Sequence, residues 1–447
     1  MYHGCPCVLL GTILAILLCL EPSVASSGDR SWAFQSCLQH CTSSGCTRLP
    51  HVPVSEQQGL GTHSCPAACA DKGQASQPGA AGGSLVPLPL RLFRWSCEDD
   101  CKYHCMEVVE AWKARVGGPQ GDGGHDGSGR SSSGGRGGGG GPQRPRLPVE
   151  KYYGKWPFRR VAGMQELVSV LASLANLAAH ALCLARLRAR VGQSGSTAQP
   201  LPAASAGAAL TRAPGVGPDG PLCRLPYPFM GLWTIYSVLH MNAWLWSALF
   251  HCRDTRTTER LDYCSAIAVV AAGLAAALAR TLWGRTRRRR LAAVSAVGCV
   301  LVGLAAHLRY MLTVKFDYGW NMQVCVVAGV VTALLWLAWV WAVRHPARRR
   351  MTAFLLLAHA AMMLEVLDFP PPVASGRLID AHAAWHWATV PLTALFYSWL
   401  QADADWCQAG QAQGGQGGAG IGEAGARAGD AAGAGGEMVE AGKHKAV

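Results

Sequence analysis

Seven apolar segments of membrane-spanning length constrain this chain more than any other feature: residues 165–186, 229–251, 263–283, 291–313, 320–343, 351–367 and 384–401. Backbone polar groups in a bilayer must be satisfied within the segment, so runs of this length are expected as helices. The expected fold class is an all-α multi-pass membrane protein with seven transmembrane helices, preceded by a small cysteine-rich lumenal domain. Composition agrees, because 50% of residues are apolar and only 15% charged, against about a quarter charged in soluble proteins. A single soluble globular domain is excluded. The net charge is 40 − 27 = +13, but the arginines fall in short clusters between apolar runs. That pattern suits loops that orient a membrane protein, and nucleic acid is not an expected partner.

The arginine clusters fix the expected orientation. Arg186, Arg188 and Arg190 follow the first segment; Arg285, Arg287, Arg288, Arg289 and Arg290 follow the third; Arg344, Arg348, Arg349 and Arg350 follow the fifth. With alternating spans these clusters share one side, which the positive-inside rule makes cytosolic. The N-terminal region is then lumenal and the tail cytosolic. A second signal agrees: residues 7–20, CVLLGTILAILLCL, followed by small residues, read as a signal peptide cleaved near Ala25. A retained N-terminal anchor is the alternative, since the preceding region carries only His3 and no Lys or Arg.

Within the expected lumenal domain, 26–116, lie eight cysteines: Cys37, Cys41, Cys46, Cys65, Cys69, Cys97, Cys101 and Cys105. An even count in an oxidising compartment reads as a disulfide framework whose connectivity the sequence does not give. Cys37-x3-Cys41 and Cys97-x3-Cys101-x3-Cys105 have helical spacing, so bridges are expected between helices rather than within one. A zinc cluster competes, but the C-x2-C spacing is absent. Residues 117–147, almost all Gly, Ser, Arg, Asp and Pro, form an expected linker, because they cannot bury enough apolar surface to fold. The membrane domain is expected over 148–405. Gly accounts for 53 of 447 residues, and stretches 192–221 and 408–443, rich in Gly, Ala and Pro, hold much of it; 406–447 reads as a low-complexity tail.

Polar residues at membrane depth are expensive and need a partner or a purpose. The second segment ends with Ser247 and His251, four residues apart on one helical face, and the third opens beside Asp262. The seventh opens with His382 and His386, again at i, i+4. The alternating topology brings these ends to the lumenal side at a common depth. An H-x3-H pair alone is a weak signal; a third histidine, a serine and a carboxylate on the same leaflet shift the reading towards metal. Three imidazoles with an open fourth position form the pattern of a catalytic zinc site. His180, His240, His307 and His359 lie singly within apolar runs and read as interhelical hydrogen-bonding groups. Asp254 reads as a solvated ion pair with its neighbouring arginines. Cys252 and Cys264, as zinc ligands or a loop disulfide, rank below the histidines. Asp317 and Asp368 fall in lumenal loops, the latter before three prolines that make a rigid turn.

At these residues the sequence resembles the post-GPI-attachment-to-proteins factor 3 family, Per1-like membrane proteins within the CREST superfamily. The resemblance is carried by CEDDCKYHCM (97–106), YGKWPF (153–158), NAWLWSALFHCRDT (242–255), LDYC (261–264), FDYGWN (316–321), LDFPP (367–371) and DAHAAWH (380–386). It implies a seven-helix hydrolase that removes the sn-2 acyl chain from the glycosylphosphatidylinositol of GPI-anchored proteins at the Golgi membrane, with the endoplasmic reticulum as the alternative. It also implies Zn2+ held by His251, His382 and His386, with Ser247 and Asp262 as the catalytic neighbours. Asp262 would orient or deprotonate water, and Ser247 would hydrogen-bond the water or the oxyanion. Ser247 as a covalent nucleophile with His251 as base is the rival. A ceramidase-like amidase or esterase, and a non-enzymatic receptor or assembly factor with structural zinc, are the competing functions.

Overall fold

The computed structural model describes residues 26–57, 66–69, 86–116, 147–196, 227–284 and 286–429, with side chains except at 54, 193–196, 374 and 410–429. The expected signal peptide and most of the linker fall outside these residues, as does the larger part of stretch 192–221. Among the described residues there are no strands beyond two isolated bridges. The long helices are α1 (Trp32–Ser44), α2 (Cys97–Val116), α3 (Leu167–Ser196), α4 (Met230–Cys252), α5 (Arg256–Leu282), α6 (Arg287–Thr313), α7 (Tyr318–Ala342), α8 (Arg348–Leu367) and α9 (Ala381–Gly429).

Helices α1 and α2 form the N-terminal unit. Ser31 caps α1, its hydroxyl accepting from the Phe34 amide, and Gly45 ends it in the left-handed region that glycine adopts freely. Disulfides Cys37–Cys105 and Cys41–Cys101 run antiparallel between the two helices, and Cys69–Cys97 ties the preceding loop to α2. The bridges between helices follow from the i, i+4 spacing on each, which puts two sulfurs on one face. Cys46 is also disulfide-bonded; Cys65 lies outside the described residues. Sulfurs held in disulfides are not thiolate ligands, so the Cys69, Cys97 and Cys101 group is no zinc cluster, although its sulfurs lie close together. Phe34, Leu49, Val109 and Tyr152 complete the buried core around the disulfides.

Five helices, α3, α5, α6, α7 and α8, are long and apolar enough to cross a membrane among the described residues. The sequence leads to seven spans; α4 and α9 occupy the remaining two places without meeting that apolarity. The difference has a chemical origin. Helix α4 carries His240, Asn242, Ser247 and His251, and α9 opens with His382 and His386, so within the ring the two helices that fall short of that apolarity are those that bring the candidate ligands. Helix α9 also continues beyond the expected end of its apolar run at 401, to Gly429.

Helix α3 packs on α4 and α9, α4 on α5, α5 on α7, α7 on α8 and α8 on α9, which closes a ring; α6 lies outside, against α5. The ring core at one end is aromatic, built from Trp233, Trp336, Tyr397 and Trp399. The arginine-bearing loops belong to this end, as Arg190 pairs with Asp405 and Arg188 donates to Thr234.

At the other end, two tight turns join the disulfide unit to the ring. Tyr152 pairs with Lys155 and Val161 with Met164. Each turn has positive φ at both central residues, Tyr153 (50°) and Gly154 (83°), then Ala162 (50°) and Gly163 (79°), the backbone of a type I′ turn. At Gly163 a Cβ would stand 3.0 Å from the Pro89 carbonyl oxygen. That close approach lets the Trp95 indole donate to the Gly163 carbonyl at 2.8 Å.

Candidate metal centre

The three candidate histidines converge. His251 ends α4, His382 and His386 occupy the first turns of α9, and one nitrogen of each falls within 4.8 Å of the others. Ring centroids are 5.2 Å apart for His251 and His382, 5.0 Å for His251 and His386, and 4.4 Å for the α9 pair. The α9 pair meets because residues four apart stack on one helical face. Asp380 starts that helix, its Oδ1 accepting from the Ala383 amide at 2.7 Å. His251 is brought to the same depth by the start of α3, where the Gln165 and Glu166 amides donate to the Cys252 and His251 carbonyls at 3.1 Å each.

In each ring one nitrogen is already engaged. His251 Nδ1 pairs with Glu166 Oε2 at 2.7 Å, His382 Nδ1 with Glu365 Oε2 at 2.6 Å, and His386 Nδ1 with Ser173 Oγ at 3.1 Å. The Nε2 atoms are left facing inward. His251 Nε2 is buried without a hydrogen-bond partner, and the His382 and His386 Nε2 atoms approach to 2.9 Å. A buried, unpartnered imidazole nitrogen is unfavourable by about 1–3 kcal/mol. One divalent cation accepting all three lone pairs would satisfy the cluster, and outer oxygens on every Nδ1 are the usual means of orienting metal-bound histidines. The donor set therefore fits a metal ion.

Around this core, Lys155 Nζ lies 2.6 Å from Glu166 Oε1 and 3.4 Å from Asp254 Oδ2. Burial would by itself lower the Lys155 ammonium, but the Glu166 and Asp254 carboxylates outweigh it and hold the group above the usual lysine value. Lys155 therefore stays charged beside Glu166. Among the described residues the ion pair of Asp254 is with this lysine, not with Arg253 or Arg256 as its sequence neighbours suggest.

The remaining sequence candidates have distinct surroundings. Ser247 is buried, and its Oγ lies 3.1 Å from Ser173 Oγ, one hydrogen bond removed from His386. Asp262 forms no hydrogen bond or ion pair among the described residues, yet it lies within electrostatic reach of His382, Lys155 and Glu166. Cys252 and Cys264 are free thiols, so no loop disulfide joins them. His180 and His307 do bond across helices, to Tyr397 at 3.4 Å and Asn321 at 3.0 Å. His240 and His359 depart from that expectation: each ring bonds the carbonyl four residues earlier in its own helix, Tyr236 and Leu355.

Glu166, Glu365, Ser173 and Lys155 were not legible as site residues. Glu365 carried a signal, an ionisable group inside an apolar run. Ser169, Ser173, Asn176 and His180 carried another, a fully polar stripe at helical spacing on α3. Lys155, in a loop, carried only its place in the YGKWPF segment (153–158).

Known proteins resemble this chain over most of its length. The Per1-like family profile matches residues 87–404. The chain is 32% identical over 393 residues, 87% of its length and 94% of the relative's, to the Danio rerio protein named GPI-specific phospholipase A2-like PGAP3. It is 31% identical over 397 residues, 88% and 92% of the two chains, to Post-GPI attachment to proteins factor 3 of Drosophila melanogaster. Identity to the Homo sapiens GPI-specific phospholipase A2-like PGAP3 is 31% over 339 residues, 74% and 85% of the two chains. No solved structure matches the chain. The family match over most of the chain, together with its apolar helices, makes this chain a multi-pass membrane protein of the Per1-like family.

Proposed function

We propose that this protein remodels GPI anchors by hydrolysing the sn-2 acyl ester of the glycosylphosphatidylinositol, on the lumenal side of the Golgi membrane. The observation that carries the reading is the convergence of three inward Nε2 atoms, on His251, His382 and His386, each ring held from behind by an oxygen. The relatives' names supply the substrate class. Helices α3 to α9 act as seven spans, with the histidine end lumenal beside the disulfide unit and the arginine-rich end cytosolic.

Zinc, when bound to the three imidazoles, supplies a Lewis acid for the ester carbonyl and lowers the pKa of a coordinated water towards about 7. The chain's own residues do the rest. Glu166, Glu365 and Ser173 keep the Nε2 lone pairs aimed at one point. Asp262, free of other partners among the described residues, takes the proton from the attacking water and returns it to the departing sn-2 oxygen. The water oxygen bonds to the acyl carbon, the bond from that carbon to the sn-2 oxygen breaks, and a fatty acid and a lyso-GPI alcohol result. Ser247, beside Ser173, supplies a hydroxyl donor for the oxyanion. The rival, Ser247 as nucleophile with His251 as base, is disfavoured because the Ser247 hydroxyl bonds Ser173 and no histidine nitrogen among the described residues, and a histidine that ligates zinc cannot also serve as a free base.

Lipid analysis of GPI anchors in cells carrying only His382→Ala provides the test. The unsaturated sn-2 chain is expected to persist, with ceramide pools unchanged. A normal remodelled pattern at normal protein abundance would sink the hydrolase reading, and a ceramide response would point to an amidase.

A further inference from the structure

Residues 151–158, KYYGKWPF, form a strap with contacts on three sides. At the Tyr152 end it belongs to the disulfide unit: the Tyr152 ring is buried against Phe34, its hydroxyl donates to Glu110 Oε1 at 2.7 Å, and the Gly28 amide donates to the Lys151 carbonyl at 3.0 Å. The Lys155 end is locked to Tyr152 by the turn, with amide to carbonyl bonds of 2.8 and 3.0 Å, and its ammonium holds Glu166, which holds His251. On the third side, Lys151 pairs with Asp368 and the Trp156 indole donates to Asp368 Oδ1 at 2.9 Å. Asp368 follows the end of α8, three residues after Glu365, the partner of His382.

One short segment therefore reaches the core of the disulfide unit and the approaches to two of the three oxygens behind the ligands. The turn holds Tyr153 at positive φ, a conformation unfavourable for a non-glycine residue, which persists only where surrounding contacts determine it. We propose that this strap is the element through which the disulfide unit sets the metal centre, with Lys155 as its positioning residue on Glu166 and, through it, on His251. The inference rests on the metal reading above. The N-terminal unit then acts as a rigid base: its disulfides fix the seat of Tyr152, and the strap carries that fixed position to the oxygens that orient the ligands.

Direction of effect separates positioning from simple charge. Removing the Lys155 cation would by Coulomb's law favour binding of another cation nearby, so weaker metal binding identifies loss of orientation. The experiment is Zn2+ competition against a chromophoric chelator on detergent-purified full chain, with Co2+ absorption reporting ligand geometry. Lys155→Met is expected to weaken Zn2+ about 10-fold and alter the Co2+ spectrum. Glu166→Gln is expected to do so at least equally, and the double variant to lose nothing further, since Lys155 acts through Glu166. Gly154→Val probes the strap without touching charge: its φ of +83° is unfavourable for valine, while nothing lies within 4 Å of the added Cβ. It is expected to weaken Zn2+ several-fold, and it keeps the test open if Lys155→Met does not fold. Unchanged or tighter binding in Lys155→Met and Gly154→Val, or additive losses in the double variant, would overturn the strap while leaving the metal reading intact. A folded wild type that binds neither ion, or binding undisturbed by His386→Ala, would overturn the metal reading and this inference with it.

Discussion

Two buried polar clusters stand at opposite ends of the same helical ring, separated by 21 residues of α9 between His382 and Asp403, or about 30 Å of helix. At the arginine-rich end, Asp403 is fully buried, and its carboxylate receives Arg280 Nη2 at 2.6 Å and Nε at 3.0 Å as well as the Tyr227 hydroxyl. His345 Nε2 lies 3.3 Å away, and the Arg280 guanidinium stacks on Phe229 and Trp339 at 4.7 and 4.5 Å. Every charge there has its complement within the chain, in the bidentate geometry that Arg favours. At the histidine end the arrangement is reversed: oxygens fill the outer layer, and the inner nitrogens face one another. A network of paired charges holds helices together, although His345 Nε2 there makes no hydrogen bond among the described residues. A ring of inward lone pairs, on the function proposed above, receives a cation.

The sharpest way to break this comparison is to attack both ends and see which property fails. Asp403→Asn leaves the Arg280 cation buried without its counter-charge and is expected to destabilise the fold by about 3–5 kcal/mol, seen as loss of folded yield and a lower melting temperature in detergent. Its surviving folded fraction should retain metal. His386→Ala should behave oppositely, losing metal by elemental mass spectrometry with little change in melting. If His386→Ala melted as early as Asp403→Asn, the histidine cluster would be another structural network and the contrast would fail.

Next in size are the oxygens behind the ligands. Glu365→Gln is expected to lower Zn2+ affinity about 10- to 100-fold, and Ser173→Ala less, because a neutral hydroxyl contributes about 1 kcal/mol where a charged partner contributes more. Chelator competition ranks the two; equal or reversed losses would mean that the oxygens do not orient the rings by their charge.

The smallest expected effect concerns the junction between the disulfide unit and the ring, where Arg253 Nη2 donates to Asp99 Oδ2 at 2.6 Å. Burial raises the Asp99 carboxyl, but the Ser96 hydrogen bond and the Arg253 and Lys102 charges outweigh it, so the folded value lies below 3.8. A depressed carboxylate contributes stability that is complete above its unfolded value and lost as pH falls through the folded one. The contribution, on the order of 0.5 kcal/mol for a partly exposed pair, should therefore be present at neutral pH and fade below about pH 4. Melting of Asp99→Asn beside wild type should differ at pH 7, and the difference should shrink as the pH falls below about 4. A difference independent of pH would assign it to packing.

How much of this was legible in the sequence depends on the range of the interaction. Cys37 and Cys41, or His382 and His386, announce a shared helical face because that face repeats over one turn, and bridging between α1 and α2 follows from two such faces, whereas its antiparallel pairing was decided by the structure. Polar groups in α4 and at the start of α9 marked where the ring departs from simple apolar spans. The rings' orientation was not legible, because each histidine is turned by a residue far along the chain: Glu166 lies 85 residues from His251, and Ser173 lies 213 from His386. Nothing in the local pattern of YYGKWPF indicates that Tyr152 enters one core while Lys155 reaches another.

The sequence by itself determined the helices, the sidedness of their loops and the three imidazoles at one depth, since hydropathy, charge placement and the 3.6-residue period are properties of neighbours. Only the tertiary structure decided which nitrogen of each ring points inward, which oxygens stand behind it and what ties that layer to the disulfide unit. These choices are made by packing between helices whose contacts no local period encodes.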